Sequence, residues 1–471
     1  MWHWAERVYP HLPVWLQNSA ISLYGAAYRN ERLGGRFDCY VEEFEKRERW
    51  TAAQMRDYLN EQLSRLLVRS FQQSRYYRDA IASAGLTSAD LTRFTAADLP
   101  ALPITPKQAL RRDPWAFVAA DRPRRRLHTY FSSGSTGTPI TCVYSTEAHR
   151  KFYAARETRS FRWAGTSIRH RRSMIGGRLV TRPNAGPPYY RYNYVERQLY
   201  FSAFHISPSR ISGYVEGFER YRPEVLTGYS HAHYALARMM MAAGVRLSYE
   251  PRAAVLGSDK LTSQMKQVIR DCLRVRPYEE YGSVENCFLA TECEAGSLHV
   301  NPDFGIVEIV DENGLPAQEG KVLCTGLLND AQFLIRYAIG DVAAWSDRPC
   351  PCGRDHLPVL REVIGREEDA VVTPDGRETV RLQGLFIDIP SVVEGQVVQE
   401  ELDLVRVRVV PAGEFGSAER RVLQNRVLER LPGIRVVVEC VPELPKTDRG
   451  KVRAVISNIN TRGANGAPLR V

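Results

Sequence analysis

The sequence predicts an α/β protein: a large multi-layer N-terminal domain of β-sheets flanked by helices, then a small α+β C-terminal domain. Three observations carry this expectation. Between about residues 128 and 345, short apolar runs alternate with helical stretches, the pattern of mixed α/β layers. Ahead of them, residues 40–85 repeat apolar side chains at helical spacing. Beyond residue 366 the pattern becomes strand, helix and strand.

In WTAAQMRDYLNEQLSRLLVRSFQQSRYY, the residues Met55, Leu59, Leu63, Leu66 and Leu67 fall on one helical face. AAVLG (253–257), FGIVEIV (304–310) and KVLCTGLL (321–328) read as strands, and SPSRISGYVEGFERY as a helix. A boundary near residue 366 divides the chain into domains 1–366 and 367–471. In LVRVRVV (404–410), Val405, Val407 and Val409 alternate with Arg406 and Arg408, the period of a half-exposed strand. SAERRVLQNRVLERLPG (417–433) reads as a helix with Ser417 as its N-cap and Pro-Gly as its stop, and IRVVVECV (434–441) as a further strand.

A chain of 471 residues exceeds one typical domain. Its 44% apolar and 25% charged content is ordinary for a globular protein and argues against global disorder. The net charge of +10 suits an anionic small substrate as well as nucleic acid. The basic runs RPRRR (122–126) and RHRR (169–172) lack aromatic interleaving, which argues against nucleic acid, and read as solvated faces. Nine scattered cysteines do not form a disulfide framework and point to a reducing, cytoplasmic compartment. No apolar run approaches the roughly 18 residues of a membrane helix. The start MWHWAERVYPHLPVWLQNSAISLYGAAY lacks signal-peptide features. Its aromatic and leucine cluster is expected to pack on the parent domain or on a partner subunit, which admits a homodimer.

The stretch YFSSGSTGTPIT (130–141) concentrates hydroxyls and glycines. Glycine lets the backbone approach an anion, and successive N–H groups with Ser and Thr hydroxyls make a nest for phosphate oxygens. Ser132, Ser133, Gly134, Ser135, Thr136 and Gly137 are therefore candidate phosphate ligands. No Gly-Lys-Ser/Thr follows, so this is not a Walker A loop. Gly-x-Ser-x-Gly would need glycine at Ser133, so it is not a nucleophile elbow. Taken by itself, the stretch could equally be a flexible turn between strands.

Cys293 and His299 in ECEAGSLH, with Cys350 and Cys352 in PCPCG, supply three thiols and an imidazole. Thiols one residue apart in a Pro-flanked loop are hard to explain as core packing. Cys₃His is a ligand set for closed, structural tetrahedral zinc. His356 is the substitute ligand should His299 point away, and reduced free thiols are the alternative.

SSGSTGTP resembles the phosphate loop of adenylate-forming enzymes, the superfamily of acyl-CoA synthetases, peptide-synthetase adenylation domains and luciferases. Further likenesses follow in order: EEYGSVEN (279–286), IRYAIGDVA (335–343), VIGREEDAVVTPDG (363–376) and LPKTDRGKVRAVI (444–456). SRYYRD (74–79), LPITPKQALR (102–111), VLTGYSH (225–231) and PCPCGR (349–354) are similar to the phenylacetate–CoA ligase family, and LPVWLQNSAISLYG to its capsular-polysaccharide branch.

The resemblance implies ATP-dependent activation of a carboxylic acid as an acyl-adenylate, with release of pyrophosphate and transfer to CoA. The alternative acceptor is an amine or a hydroxyl. It implies that Tyr281 stacks on adenine beside Gly282 and Ser283, that Glu285 binds Mg²⁺, and that Asp341 holds the ribose hydroxyls with Arg366 nearby. Asp369 would mark the hinge of a mobile C-terminal domain, and Lys451 would be the catalytic ammonium that neutralises the α-phosphate. Tyr229, Ser230, Ala254, Gly257 and Ser258 would line the acid pocket. Two departures stand out: Val284 replaces the usual Thr or Ser, and Ile339 replaces a Thr. A degenerate nucleotide-binding scaffold is disfavoured because Lys451, Glu285 and Asp341 are present together.

Overall fold

The computed structural model describes residues 8–131, 140–177, 180–182, 185–366, 371–374, 378–379, 382–386, 389, 391–411, 413–431, 433–445 and 452–459. The chain divides into two compact units, Met1–Ile339 with Ala343–Glu362, and Gly340–Val342 with Val363–Val471.

The larger unit opens with helices α1 (Val14–Leu33), α2 (Phe37–Arg47), α3 (Ala52–Gln73) and α4 (Arg75–Ser83). The helical pattern has the expected consequence in α3: Met55, Leu63, Leu66 and Leu67 are buried, while Leu59 packs half-buried at the edge. Each such aliphatic side chain contributes about 1.5–3 kcal/mol on burial. Thr51 and Gln54 cap the start of α3 reciprocally. On α1, Trp15, Leu23 and Tyr24 remain exposed.

Strands β1 (Leu127–Phe131) and β2 (Thr141–Ser145) pair antiparallel, with Phe131 opposite Thr141. Helix α5 (Thr146–Arg156) follows, capped by Ser145, and ends in a π-turn over Glu157–Phe161 whose residues are all buried.

The central sheet is built from β3 (Arg172–Gly176), β4 (Tyr190–Asn193), β5 (Gln198–Ser202), β6 (Val225–Tyr229), β7 (Ala253–Gly257), β8 (Pro277–Gly282), β9 (Leu289–Glu292), β10 (Leu298–Val300), β11 (Gly305–Val310), β12 (Glu319–Gly326), β13 (Tyr337–Trp345) and β14 (Val359–Arg366). Its order is β11-β12-β13-β14-β10-β9-β8-β7-β6-β3-β5-β4. Strands β5, β3, β6, β7 and β8 run parallel. Helices α6 (Ile211–Tyr221), α7 (Ser230–Ala242) and α8 (Ser263–Leu273) lie in the connections between β5 and β8. Their inner faces join the strands in one apolar core containing Leu226, Leu236, Met240, Ala254 and Leu256. The parallel strands therefore end together at Gly176, Tyr229, Gly257 and Gly282, the edge where open α/β sheets hold ligands.

The smaller unit holds β15 (Val371–Val372) paired with β16 (Glu378–Thr379), and a sheet of β17 (Val392–Glu401), β18 (Leu404–Pro411), β19 (Arg435–Cys440) and β20 (Val455–Ser457) in the order β19-β18-β17-β20. The alternation at 404–410 is resolved as expected: Val405, Val407 and Val409 are buried, while Arg406 and Arg408 pair with Glu439 on β19. Helix α9 (Ser417–Arg430) places Leu423 and Val427 in this core. Its cap differs from expectation by one residue. Gly416 is the N-cap, its N–H donating to the Glu419 carboxylate at 3.0 Å, and Ser417 is the first helical residue.

Candidate active site

The end of β8 carries the adenine and metal candidates. Arg156 on α5 grips Glu280 with two contacts, Nε to Oε2 at 3.0 Å and Nη2 to Oε1 at 2.7 Å, which fixes the strand just before Tyr281. Tyr281 meets Phe288 edge-on at 4.8 Å between ring centroids. The Ser283 Oγ is buried with no hydrogen-bond partner among the described residues. Glu285 is 6% exposed, and its Oε1 accepts from the Tyr337 hydroxyl at 3.2 Å. Among the described residues no cation stands within ion-pair distance of it. Burial pushes the Tyr337 hydroxyl well above its ordinary value, and Glu285 adds to the shift. A buried charge must be paired or hold a metal, and an orphaned buried hydroxyl calls for a partner. The segment thus fits a bound cation and a polar ligand.

The neighbouring strand ends contribute the acid-pocket candidates. Tyr229 lies opposite Gly257 in the parallel register. Ser230 begins α7 with its Oγ buried and unpartnered among the described residues. A Cβ on Gly257 would sit 2.4 Å from the Glu280 carbonyl oxygen, so only glycine fits between the two strands. Ser258 follows with a φ of 69°, a conformation that is strained for serine and tends to mark functional backbone. Ala254 is different. It is fully buried in the apolar core, and Val255 and Leu256 separate it from the strand end.

In the smaller unit, Asp341 and Arg366 stand together, Oδ1 to Nε at 3.3 Å. Asp341 is 9% exposed. The structure thus joins two residues assigned to the ribose from separate motifs. Ile339, where a hydroxyl was expected, is buried and offers its carbonyl to the Lys107 ammonium at 3.0 Å. Ser132, Ser133, Gly134, Ser135, Thr136, Gly137, Asp369 and Lys451 lie outside the described residues.

A second cluster forms where β9, β10 and the 350–352 loop meet. One ligand atom each from Cys293, His299, Cys350 and Cys352 lies within 4.8 Å of all the others. Cys293 and Cys350 sulfurs are 3.6 Å apart, and Cys352 Sγ is 3.3 Å from His299 Nε2. All the chain's cysteines are free thiols. The His299 Nδ1 donates to the Leu357 carbonyl at 3.0 Å, which turns the Nε2 lone pair toward the sulfurs, as a metal-ligating histidine requires. Burial works against ionisation of Cys350, but hydrogen bonds involving Ser297, the Cys352 backbone and His299 outweigh it and bring the thiol down to about 6. His356 stands outside the cluster with its Nε2 buried and unpartnered among the described residues.

Three residues at the site escaped the sequence reading, although two lay inside quoted motifs. Tyr337 supplies the donor to Glu285. Asn286, with a φ of 46°, donates to the Tyr144 hydroxyl at 3.1 Å. Tyr144 is buried beside Cys142 and Glu285, and no local pattern announces it.

The CapK C-terminal domain family matches residues 371–458. Protein CapK of Staphylococcus aureus is 24% identical over 468 residues, 96% of this chain and 99% of that protein. The phenylacetate-coenzyme A ligase of Thermus thermophilus is 27% identical over 445 residues, 85% of this chain and 96% of the relative. The crystal structure of 2-hydroxyisobutyryl-CoA ligase in the postadenylation state, in complex with R3-HIB-AMP, matches with a TM-score of 0.69 at 18% identity, over 88% of this chain and 92% of that one.

The chain shares the fold of 2-hydroxyisobutyryl-CoA ligase and is similar in sequence to CapK and to phenylacetate-coenzyme A ligase.

Within the adenylate-forming fold, the large sheet flanked by helices and the separate C-terminal domain are as the sequence predicts. Among the described residues no helix is long and apolar enough to cross a membrane.

Proposed function

We propose that this chain is an ATP-dependent ligase that activates a carboxylic acid as its acyl-adenylate, releases pyrophosphate and passes the acyl group to CoA. The observation that most supports this is Glu285, a buried carboxylate with no cation at ion-pair distance among the described residues, at the strand ends where such folds hold ligands. Glu285 would hold Mg²⁺, which when bound neutralises phosphate charge. Tyr281 would stack on adenine. Ser283 Oγ would donate to the α-phosphate in place of the hydroxyl that Val284 lacks. Asp341 and Arg366 would hold the ribose, and residues 132–137 the departing pyrophosphate. Lys451 would neutralise the α-phosphate, with Asp369 as hinge between domains 1–366 and 367–471. Tyr229, Ser230, Gly257 and Ser258 would border the acid.

Cys293, His299, Cys350 and Cys352 would hold zinc in a closed tetrahedral site. Four protein ligands leave no open position, so its role would be structural. Free thiols throughout suit a reducing cytoplasm.

The test is pyrophosphate release from ATP and Mg²⁺ over a panel of carboxylic acids, with and without CoA, amines or hydroxyl acceptors, and the products weighed. Acid-dependent release followed by a CoA thioester is the expected result. An amide or ester would move the assignment to the alternative acceptor. Release independent of acid, or none, would sink it. Lys451→Ala should abolish release while nucleotide binding persists.

A further inference from the structure

The larger unit holds a cavity of about 440 Å³ whose walls have no part in the roles above. It is lined by α2, the first half of α3, α5 and the loop that follows β12. A cavity of this volume accepts a small organic molecule.

Two chemistries share the lining. Phe44, Trp50, Tyr58, Leu327 and Leu328 supply rings and aliphatic side chains. Trp50 is half-buried and meets Tyr58 edge-on at 5.4 Å between centroids. The cations are Arg36 at the N-cap of α2, Lys46 and Arg47 in its last turn, and Lys151 on α5. Against them stands the carboxylate of Glu43.

The chain neutralises these cations unequally. Arg47 Nε lies 2.8 Å from the buried Asp303. Glu43 is half-exposed and 3.9 Å from both Arg36 and Arg47, an arrangement in which an ion pair contributes little. Among the described residues no carboxylate lies within ion-pair distance of Lys46 or Lys151. Glu147, one turn before Lys151, already accepts from the Tyr40 hydroxyl at 2.7 Å and from Arg150 at 2.5 Å. The Lys151 ammonium lies 5.5 Å from the Tyr40 ring centroid, and the Arg36 guanidinium 5.2 Å from the same ring. Like charges thus gather beside an apolar wall. A cleft of one sign concentrates the opposite charge, and ammonium and guanidinium groups are phosphate ligands. The aromatic wall suits a flat ring.

We propose that this cavity is a separate, non-catalytic site for a ring-bearing phosphate, a free nucleoside diphosphate or triphosphate. Lys46, Lys151 and Arg36 take the phosphates, and Trp50 and Tyr58 border the base. This goes beyond the ligase reading and does not rest on it.

Equilibrium dialysis of the full chain against ADP, without Mg²⁺, counts the nucleotide bound per chain. Wild type should bind one equivalent more than Lys46→Gln/Lys151→Gln. Each lost charge-assisted contact should weaken the site about tenfold. Lys46→Arg/Lys151→Arg keeps both charges and should retain the equivalent. Trp50→Leu should weaken it about threefold to tenfold through the ring alone. Inorganic pyrophosphate, which lacks the ring, should compete about tenfold less well than ADP.

Lys46 is exposed and Lys151 half-exposed, so all these lysine variants should keep the parent's melting temperature. Equal stoichiometry in wild type and the glutamine variant overturns the proposal. So does loss of the equivalent in the arginine variant, or pyrophosphate that competes as well as ADP. Displacement of the equivalent by CoA at equal concentration would assign the cavity to the acyl acceptor and overturn a separate site. The acid-dependent release of pyrophosphate tests the ligase reading independently of each result.

Discussion

Asp303 and Glu285 are both buried carboxylates of the larger unit, and the chain treats them in opposite ways. Asp303 is fully buried, with Arg47 Nε at 2.8 Å and Arg159 Nη2 at 3.1 Å. Arg159 also reaches Asn301 Oδ1 at 3.0 Å, the Phe44 carbonyl at 3.2 Å and Glu48 at 3.0 Å. Glu285, nearly as buried, has a single tyrosine hydroxyl among the described residues. A buried charge left without a partner is strongly unfavourable. Asp303 is neutralised by its own chain, whereas Glu285 has no such cation among the described residues and, in the proposed function, would be neutralised by a ligand. Breaking the first should cost stability, and breaking the second should cost chemistry.

The largest expected effect is on the saturated side. Arg159→Ala strips one of two arginines from Asp303 and uncovers Asn301 and Glu48 as well. Removing one member of a buried ion network costs about 3–5 kcal/mol, read as the loss of unfolding free energy in urea. A loss under about 1 kcal/mol would show that the network contributes little and would break the contrast.

Glu285→Gln probes the other side. It keeps the shape and the contact with Tyr337 and removes the charge. Unfolding free energy should stay within about 1 kcal/mol of the parent or rise, since an unpaired buried charge is being removed. Pyrophosphate release should fall by about 10²–10³-fold, the scale for losing one electrostatic contact to a transition state. A variant that unfolds easily yet retains turnover would reverse the assignment of both carboxylates.

The cysteine cluster lies between these cases, because its partner would be a permanent ion. Cys352→Ser should lower zinc affinity at least tenfold, measured as zinc content after dialysis against a chelator, together with a lower melting temperature. Cys272→Ser, a buried free thiol outside the cluster, should retain the metal. Equal zinc in both variants would remove the site from the account.

The contrast also explains what the sequence made legible. Strand and helix periods are local, so the buried face of α3 and the alternation at 404–410 could be read directly. Glu285 and the Cys₃His set could be picked out as candidates because their residue types and flanking motifs announce them, and the four metal candidates do cluster. The Arg159–Asp303 hub could not. Its partners lie 144 positions apart, and the π-turn that aims Arg159 inward leaves no repeat in the sequence. The same holds for the cavity that draws Lys46 from α2 and Lys151 from α5. Gly416 rather than Ser417 caps α9 because Glu419 reaches back to the glycine N–H, a choice of one residue that composition cannot make.

Acid titration sharpens the comparison with the smallest effect. At Asp303, burial favours the neutral acid, but Arg159 and then Arg47 outweigh it and hold the carboxyl below its usual range. A depressed folded pKa gives stability that is fully present above the unfolded value of about 3.9. That stability is lost as pH falls through the folded value. Wild type should therefore lose stability below pH 4 with an extra slope of up to about 1.4 kcal/mol per pH unit that Asp303→Asn lacks. The gap between the two should narrow on acidification and stay flat from pH 5 to 8. Glu308 supplies the opposite sign. There burial outweighs Arg336 and raises the carboxyl, so the folded state binds its proton first. Relative to Glu308→Gln, wild type should gain stability as pH falls through that raised value toward about 4.3, the unfolded figure. Urea midpoints for the parent and both variants at pH 3, 4, 5, 6 and 7 separate the two cases. Slopes of the same sign at both sites would mean that arginine neighbours, rather than the balance between pairing and burial, set the charge on this protein's buried carboxylates.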